Sequence, residues 1–93
     1  MLSNLPLDLS KLKTDVSDRE LIRLGIIAEL DAISLYEQMA AKAENPKIKL
    51  VLADIAKEEK THVGEFQALL MELDQEQAGE LVKGKAEVDG LTA

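Results

Sequence analysis

The chain has no cysteine and no tryptophan, one tyrosine, one phenylalanine and two prolines in 93 residues. Without cysteine there are no disulfides and no thiolate metal sites, which fits a reducing compartment. The shortage of aromatics leaves the core to Leu, Ile, Val, Ala and Met, a palette that suits helices better than strands. Basic residues are outnumbered: 11 Lys and Arg face 18 Asp and Glu, for a net charge of −7. That balance argues against nucleic acid, whose phosphates need clustered cations, and against an anionic membrane surface. It is compatible with drawing in cations, and equally with a simple solubility role. No apolar run is long enough to span a bilayer. The opening MLSNLPLDLSK lacks the basic start and apolar stretch of a secretion signal. The expectation is one soluble, cytoplasmic domain. So short a chain buries a small share of its surface, so oligomerisation is a live alternative to a lone monomer.

Residues 1–16 read as an irregular N-terminal segment. Ser17-Asp18-Arg19-Glu20 then has the form of a capping box, which starts a helix. The helical pattern continues to Asn45-Pro46, where Asn45 is a good N-cap and Pro46 suits the first position of a second helix. That helix runs to about Leu73. Asp74 to Gln77 reads as a further cap, opening a short third helix that Gly84 can end near Lys83. The expected organisation is a helical domain over 17–83 and a polar tail over 84–93. Each long helix has about 26 residues, roughly 39 Å, and so short a connection packs them antiparallel.

On a helical wheel, Glu20, Arg23, Asp31, Ser34, Gln38 and Lys42 gather on one side of the first helix, with Ile22, Ile26, Ile33 and Ala40 opposite. Glu29 and Tyr36 fall on the apolar side. In the second helix, Ile48, Leu52, Ile55, Glu59, His62, Phe66, Leu69 and Leu73 form a heptad-like seam, with Glu59 and His62 at its middle. Each intruder has a plain reading: a hydrogen-bonded core histidine, a carboxylate marking helix register, a tyrosine with a wet tip. Their coincidence says more. Glu29 and the Glu59-x-x-His62 pair lie near mid-helix, so an antiparallel hairpin brings them to one level. Two buried carboxylates are costly without a cation.

Four-helix-bundle di-iron sites take one Glu from each of two helices and a Glu-x-x-His from each of the others. This chain supplies half that set. The ligand count predicts a homodimer, a ferritin-like four-helix bundle with iron at its interface. Carboxylate and imidazole ligands without sulfur suit iron, manganese or zinc. Leu24, Ile27, Leu35, Leu50 and Met71 lie outside the main seam, which predicts assembly beyond a dimer, as a ring.

The residues "AELDAISLYEQ" (28–38) and "EEKTHVGEF" (58–66), in this order and separation, resemble the encapsulated ferritin family, and with the two-helix plan the resemblance covers most of 18–83. It implies half of a ferritin: dimers that build an iron centre, assembled into an annular decamer inside an encapsulin nanocompartment. It implies a ferroxidase, oxidising Fe(II) to Fe(III), with Glu29, Glu59 and His62 as iron ligands and Tyr36 beside the metal. Asp31 matches one carboxylate of an additional metal-binding region. The sequence departs from the family where Ala28 replaces a glutamate and Leu35 a tryptophan of some members, which makes that additional region weaker or different. "EVDGLTA" is not the Gly-Ser-Leu type of targeting peptide, and the family also uses fusion to a shell protein. The competing readings are a non-catalytic iron-binding module and a structural helical hairpin. Glu37, Glu58 and Glu65 border the apolar faces and are expected to be solvated.

Overall fold

A computed structural model describes Ser10 and residues 14–93, with side chains in the helices from Asp18 onward. Three helices follow in order: α1 (Thr14–Lys42), α2 (Pro46–Leu73) and α3 (Gln75–Thr92). Among the described residues there is no strand, so the all-α expectation holds. The N-terminal segment expected over 1–16 lies mostly outside the described residues. α1 already starts at Thr14, so Ser17 falls inside the helix rather than at its cap.

The helix junctions follow from local chemistry. α1 closes with Lys49 Nζ donating to the carbonyls of Ala40 (2.6 Å) and Ala41 (3.4 Å). A cation there satisfies carbonyls that lack intrahelical partners and complements the helix dipole. Asn45 is extended, and its side chain accepts from the N–H groups of Lys47 (2.9 Å) and Ile48 (3.3 Å), with Pro46 opening α2 as expected. Asp74 alone separates α2 from α3. Its N–H donates to Leu70 O (2.8 Å), and its carboxylate accepts from Gln77 N (3.0 Å). The same carboxylate receives Arg23 Nη2 at 2.8 Å, while Arg23 Nη1 reaches Glu20 at 2.6 Å. One residue therefore ends a helix, starts another and ties both to α1.

The cross-helix contacts fix an antiparallel hairpin. Arg23 meets Asp74, Glu29 meets His62, Glu37 meets Lys60 (3.0 Å) and Ala40 meets Lys49. The hairpin encloses little by itself. Among the described residues only Ala40, Ala56 and Leu70 are buried, while Leu30, Ile48, Leu50 and Val51 are more than half exposed. The radius of gyration is 16.6 Å, against about 12 Å for a compact chain of this length. α3 contributes to this spread. It packs mainly on the end of α2, with Val82 and Leu91 open to solvent.

Two expectations are corrected. The heptad seam on α2 fails at its ends: Ile48, Leu69 and Leu73 are exposed, and Leu70 is buried in place of Leu69. A straight helix drifts about 20° per heptad from a 3.5-residue repeat, so the seam rotates off its partner over 28 residues. The third helix also does not stop at Gly84 but runs to Thr92. Gly84 has no positive φ and so does not form the left-handed stop. Beyond it, Lys85 pairs with Asp89 at 2.7 Å and Thr92 Oγ1 donates to Val88 O, both at helical spacing.

Because Gly84 is helical with open space where a Cβ would sit, Gly84→Ala is expected to stabilise the fold by about 1 kcal/mol, read as a raised melting temperature. The Asp74 junction should depend on pH. The Gln77 N–H, then the Arg23 guanidinium, hold its carboxyl below the usual 3.8. A depressed carboxyl lends stability above its unfolded value and loses it as pH falls through the folded one. The melting-temperature gap between wild type and Asp74→Asn is therefore expected to be full at neutral pH and to close below about pH 3.8. A gap unchanged at pH 2.5 to 3 would contradict this assignment.

Candidate metal centre

Glu29 comes from the middle of α1, and Glu59 and His62 from the middle of α2, one turn apart on the same face. The antiparallel register set by the junctions brings them to one level. Their donor atoms all lie within 4.8 Å of one another. His62 Nδ1 stands 3.3 Å from Glu59 Oε2 and 3.5 Å from Glu29 Oε2. Both carboxylate side chains are 19% exposed, the imidazole 44%.

Glu29 Oε2 has no contact with water and no hydrogen-bond partner. An ionised oxygen in that position costs free energy that no hydrogen bond in the hairpin offsets. A bound cation offsets it directly. Oxygen and nitrogen donors sharing one ion through bonds of about 2.1 Å sit roughly 3 Å or slightly more apart, close to the 3.3 Å and 3.5 Å separations here. The residues thus fit a divalent metal. Two carboxylates and one imidazole leave a first-row ion short of a full ligand set, and the half-exposed imidazole marks the open side.

The other expected site residues stand apart from this group. Tyr36 is half-buried on α1, two turns past Glu29 and roughly 10 Å along the axis. Asp31 does not join the cluster, since two residues turn about 200° around a helix. It is still not the fully solvated residue the wheel implied: it is half-buried, and its Oδ2 is out of water with no hydrogen bond. Glu37, Glu58 and Glu65 are exposed, as their positions at the edge of the face required. Glu37 uses that exposure to pair with Lys60, next in sequence to Glu59. The sequence reading overlooked Gly25, one turn before Glu29. A glycine inside a helical pattern was the available signal. Its backbone is abutted by the Phe66 ring, one turn past His62.

Comparison with known proteins gives a consistent picture. A family model described as rubrerythrin matches residues 20–90. The chain is 59% identical over 73 residues to a ferritin-like-encapsulin shell fusion protein of Pyrococcus furiosus, a stretch that is 78% of this chain and 21% of that protein. It is 42% identical over 65 residues to the encapsulin nanocompartment cargo protein EncC of Myxococcus xanthus, covering 70% of this chain and 50% of the relative. The chain thus spans about a fifth and about half of these curated relatives. Among solved structures, the crystal structure of the encapsulated ferritin domain from Pyrococcus furiosus superposes with a TM-score of 0.85 at 51% identity, covering 99% of this chain and 96% of that one. The helical hairpin, its third helix and these matches together establish that the chain belongs to the rubrerythrin family of ferritin-like proteins, alongside the encapsulated ferritin domains.

Proposed function

We propose that this protein is a ferroxidase that oxidises Fe(II) to Fe(III) with dioxygen, at a di-iron centre built between two copies of the chain. The observation that carries the reading is Glu29 Oε2, shielded from water, without a hydrogen bond and 3.5 Å from His62 Nδ1. Glu29, Glu59 and His62 are the ligands. They are half of the four carboxylates and two imidazoles of a bundle di-iron site. A second hairpin related by a two-fold axis supplies the other half, and the uncovered apolar surface of the hairpin supports such a partner.

The residues then have distinct tasks. The carboxylates of Glu29 and Glu59 offset the charge of two Fe(II) ions and hold them near enough to act on one dioxygen. His62 adds a neutral nitrogen ligand, which requires its ring to give up any proton at the liganding atom. Tyr36, from the same side of α1 as Glu29, lines the approach to the centre. The balance is two Fe(II), one dioxygen and two protons giving two Fe(III) and one hydrogen peroxide. Asp31 is a secondary cation contact on the opposite side of α1. By likeness to the encapsulin cargo and fusion relatives, the protein works as a ring, a decamer, inside an encapsulin shell in the cytoplasm, supplying Fe(III) for storage there. A hairpin has no storage cavity of its own, so mineral needs the shell.

A metal-free structural role has one point in its favour, since a protonated His62 between two carboxylates can pair with both. Metal separates the readings. A ligand bound only by the folded state stabilises it, by about 2.7 kcal/mol at a hundredfold excess over Kd. Fe(II) added without air should therefore raise the melting temperature of wild type and leave that of Glu29→Ala unmoved. On admitting air, oxidation measured as Fe(III) absorbance should exceed the protein-free rate through many turnovers. Glu29→Ala, Glu59→Ala and His62→Ala should each fall to that background. Oxidation that halts after one equivalent per site would leave an iron-holding module, and wild type matching the protein-free rate would end the enzyme reading.

A further inference from the structure

Gly25 lies inside α1, where glycine weakens a helix relative to alanine. Phe66 explains its presence. A Cβ built at Gly25 would lie 3.0 Å from Phe66 Cζ and 3.1 Å from both Cε atoms, so the far end of the ring points at the glycine backbone. Gly64, Gly79, Gly84 and Gly90 meet nothing within 4 Å. Gly25 is thus the one glycine among them whose missing side chain is used for packing. Its place along the hairpin gives that packing a consequence. Gly25 precedes Glu29 by four residues, and Phe66 follows His62 by four. Both steps are one turn, about 6 Å, along the same faces. The ring-on-glycine contact is therefore the layer next to the carboxylate–imidazole contact.

The geometry points to Gly25 and Phe66 as a positioning pair for the metal centre. The ring abutting the glycine backbone sets the spacing of α1 and α2 one turn from Glu29 and His62, and so sets the 3.5 Å approach of Glu29 Oε2 to His62 Nδ1. This rests on Glu29, Glu59 and His62 being metal ligands. A methyl group at position 25 makes either the ring or α1 give by a few tenths of an ångström. A helix is stiff over one turn, so Glu29 moves with Gly25. Groups that orient metal ligands tune the site as strongly as some ligands do.

Anaerobic titration with Co(II), whose visible absorption reports ligand geometry, tests the pair. The proteins compared are wild type, Gly25→Ala, Phe66→Leu, the two combined, and Glu29→Gln as the ligand control. Gly25→Ala is expected to weaken Co(II) binding about tenfold or more and to change the band shape. The combined variant, whose shorter Leu leaves room for the methyl, is expected to return to within about threefold of wild type with the band restored. A role in stability alone would shift metal-free melting and leave the band untouched. If Gly25→Ala does not fold, the combined variant must still bind Co(II) more tightly than Phe66→Leu, because the methyl refills the gap. Wild-type affinity in Gly25→Ala overturns the inference, as does a folded combined variant no tighter than either single one. Should Glu29→Gln bind Co(II) as wild type does, the ligand reading itself fails and the pair with it. A weakened Glu29→Gln beside an unaffected Gly25→Ala removes the pair alone.

Discussion

A carboxylate oxygen held away from water without a partner is the constraint on which the rest of this molecule turns. Glu29 Oε2 is out of solvent, and the basic side chain beside it is an imidazole at 3.5 Å that is already 3.3 Å from Glu59. Nothing in the hairpin's covalent plan requires a glutamate there; an alanine would pack between the helices at lower cost. The residue makes energetic sense with a divalent ion against it. Much else in the fold serves the level at which it sits. Asn45 and Lys49 close one end of the hairpin, the Arg23–Asp74 tie closes the other, and together they set the register that places Glu29 opposite His62.

The same hairpin is short of cover. With three buried residues among those described, it cannot draw on a core of its own in the way a compact domain does. Its apolar side chains are distributed around α1 and α2 and along α3, so no single neighbour can cover them all. Apolar side chains as exposed as Leu30, Leu50 and Val51 mark a surface suited to contact with another protein. Its membership of a family of ferritin-like proteins fits this, since a ferritin-like bundle has four long helices and this chain provides two.

Local chemistry was readable from the sequence; longer-range geometry was not. Asn45 and Asp74 announce helix ends because their side chains act on backbone groups two or three residues away, and Pro46 because its ring fixes φ and leaves no N–H to satisfy. Glu29, Glu59 and His62 were legible because a charge at an apolar position breaks a periodic pattern and asks for a reason. The α2 seam was misread at its ends because a heptad template and a straight helix diverge slowly, too slowly to notice near the middle. Gly84 was misread as a stop because glycine marks helix ends only when it takes a left-handed conformation, which a sequence does not display. Asp31 and Gly25 depended on what lies across the helix pair. No spacing rule reveals that one Asp31 oxygen is out of water, or that the Phe66 ring ends against Gly25.

Half a ligand set on half a bundle couples two equilibria. If metal binds only where two hairpins meet, then every increment of metal affinity is also an increment of association, and the coupling runs equally in both directions. The acidic chain sharpens this. At a net charge of −7 per copy, bringing chains together builds up repulsion. In the proposed dimer, four carboxylates at one interface would concentrate it where it does most harm, and two divalent ions would remove it at the same place. The features that make the isolated hairpin a poor domain — exposed apolar faces, a water-shielded charge, an excess of acid — are therefore one feature seen three ways. Each is a cost to the single chain, and in the proposed reading all three fall together when two hairpins close around metal.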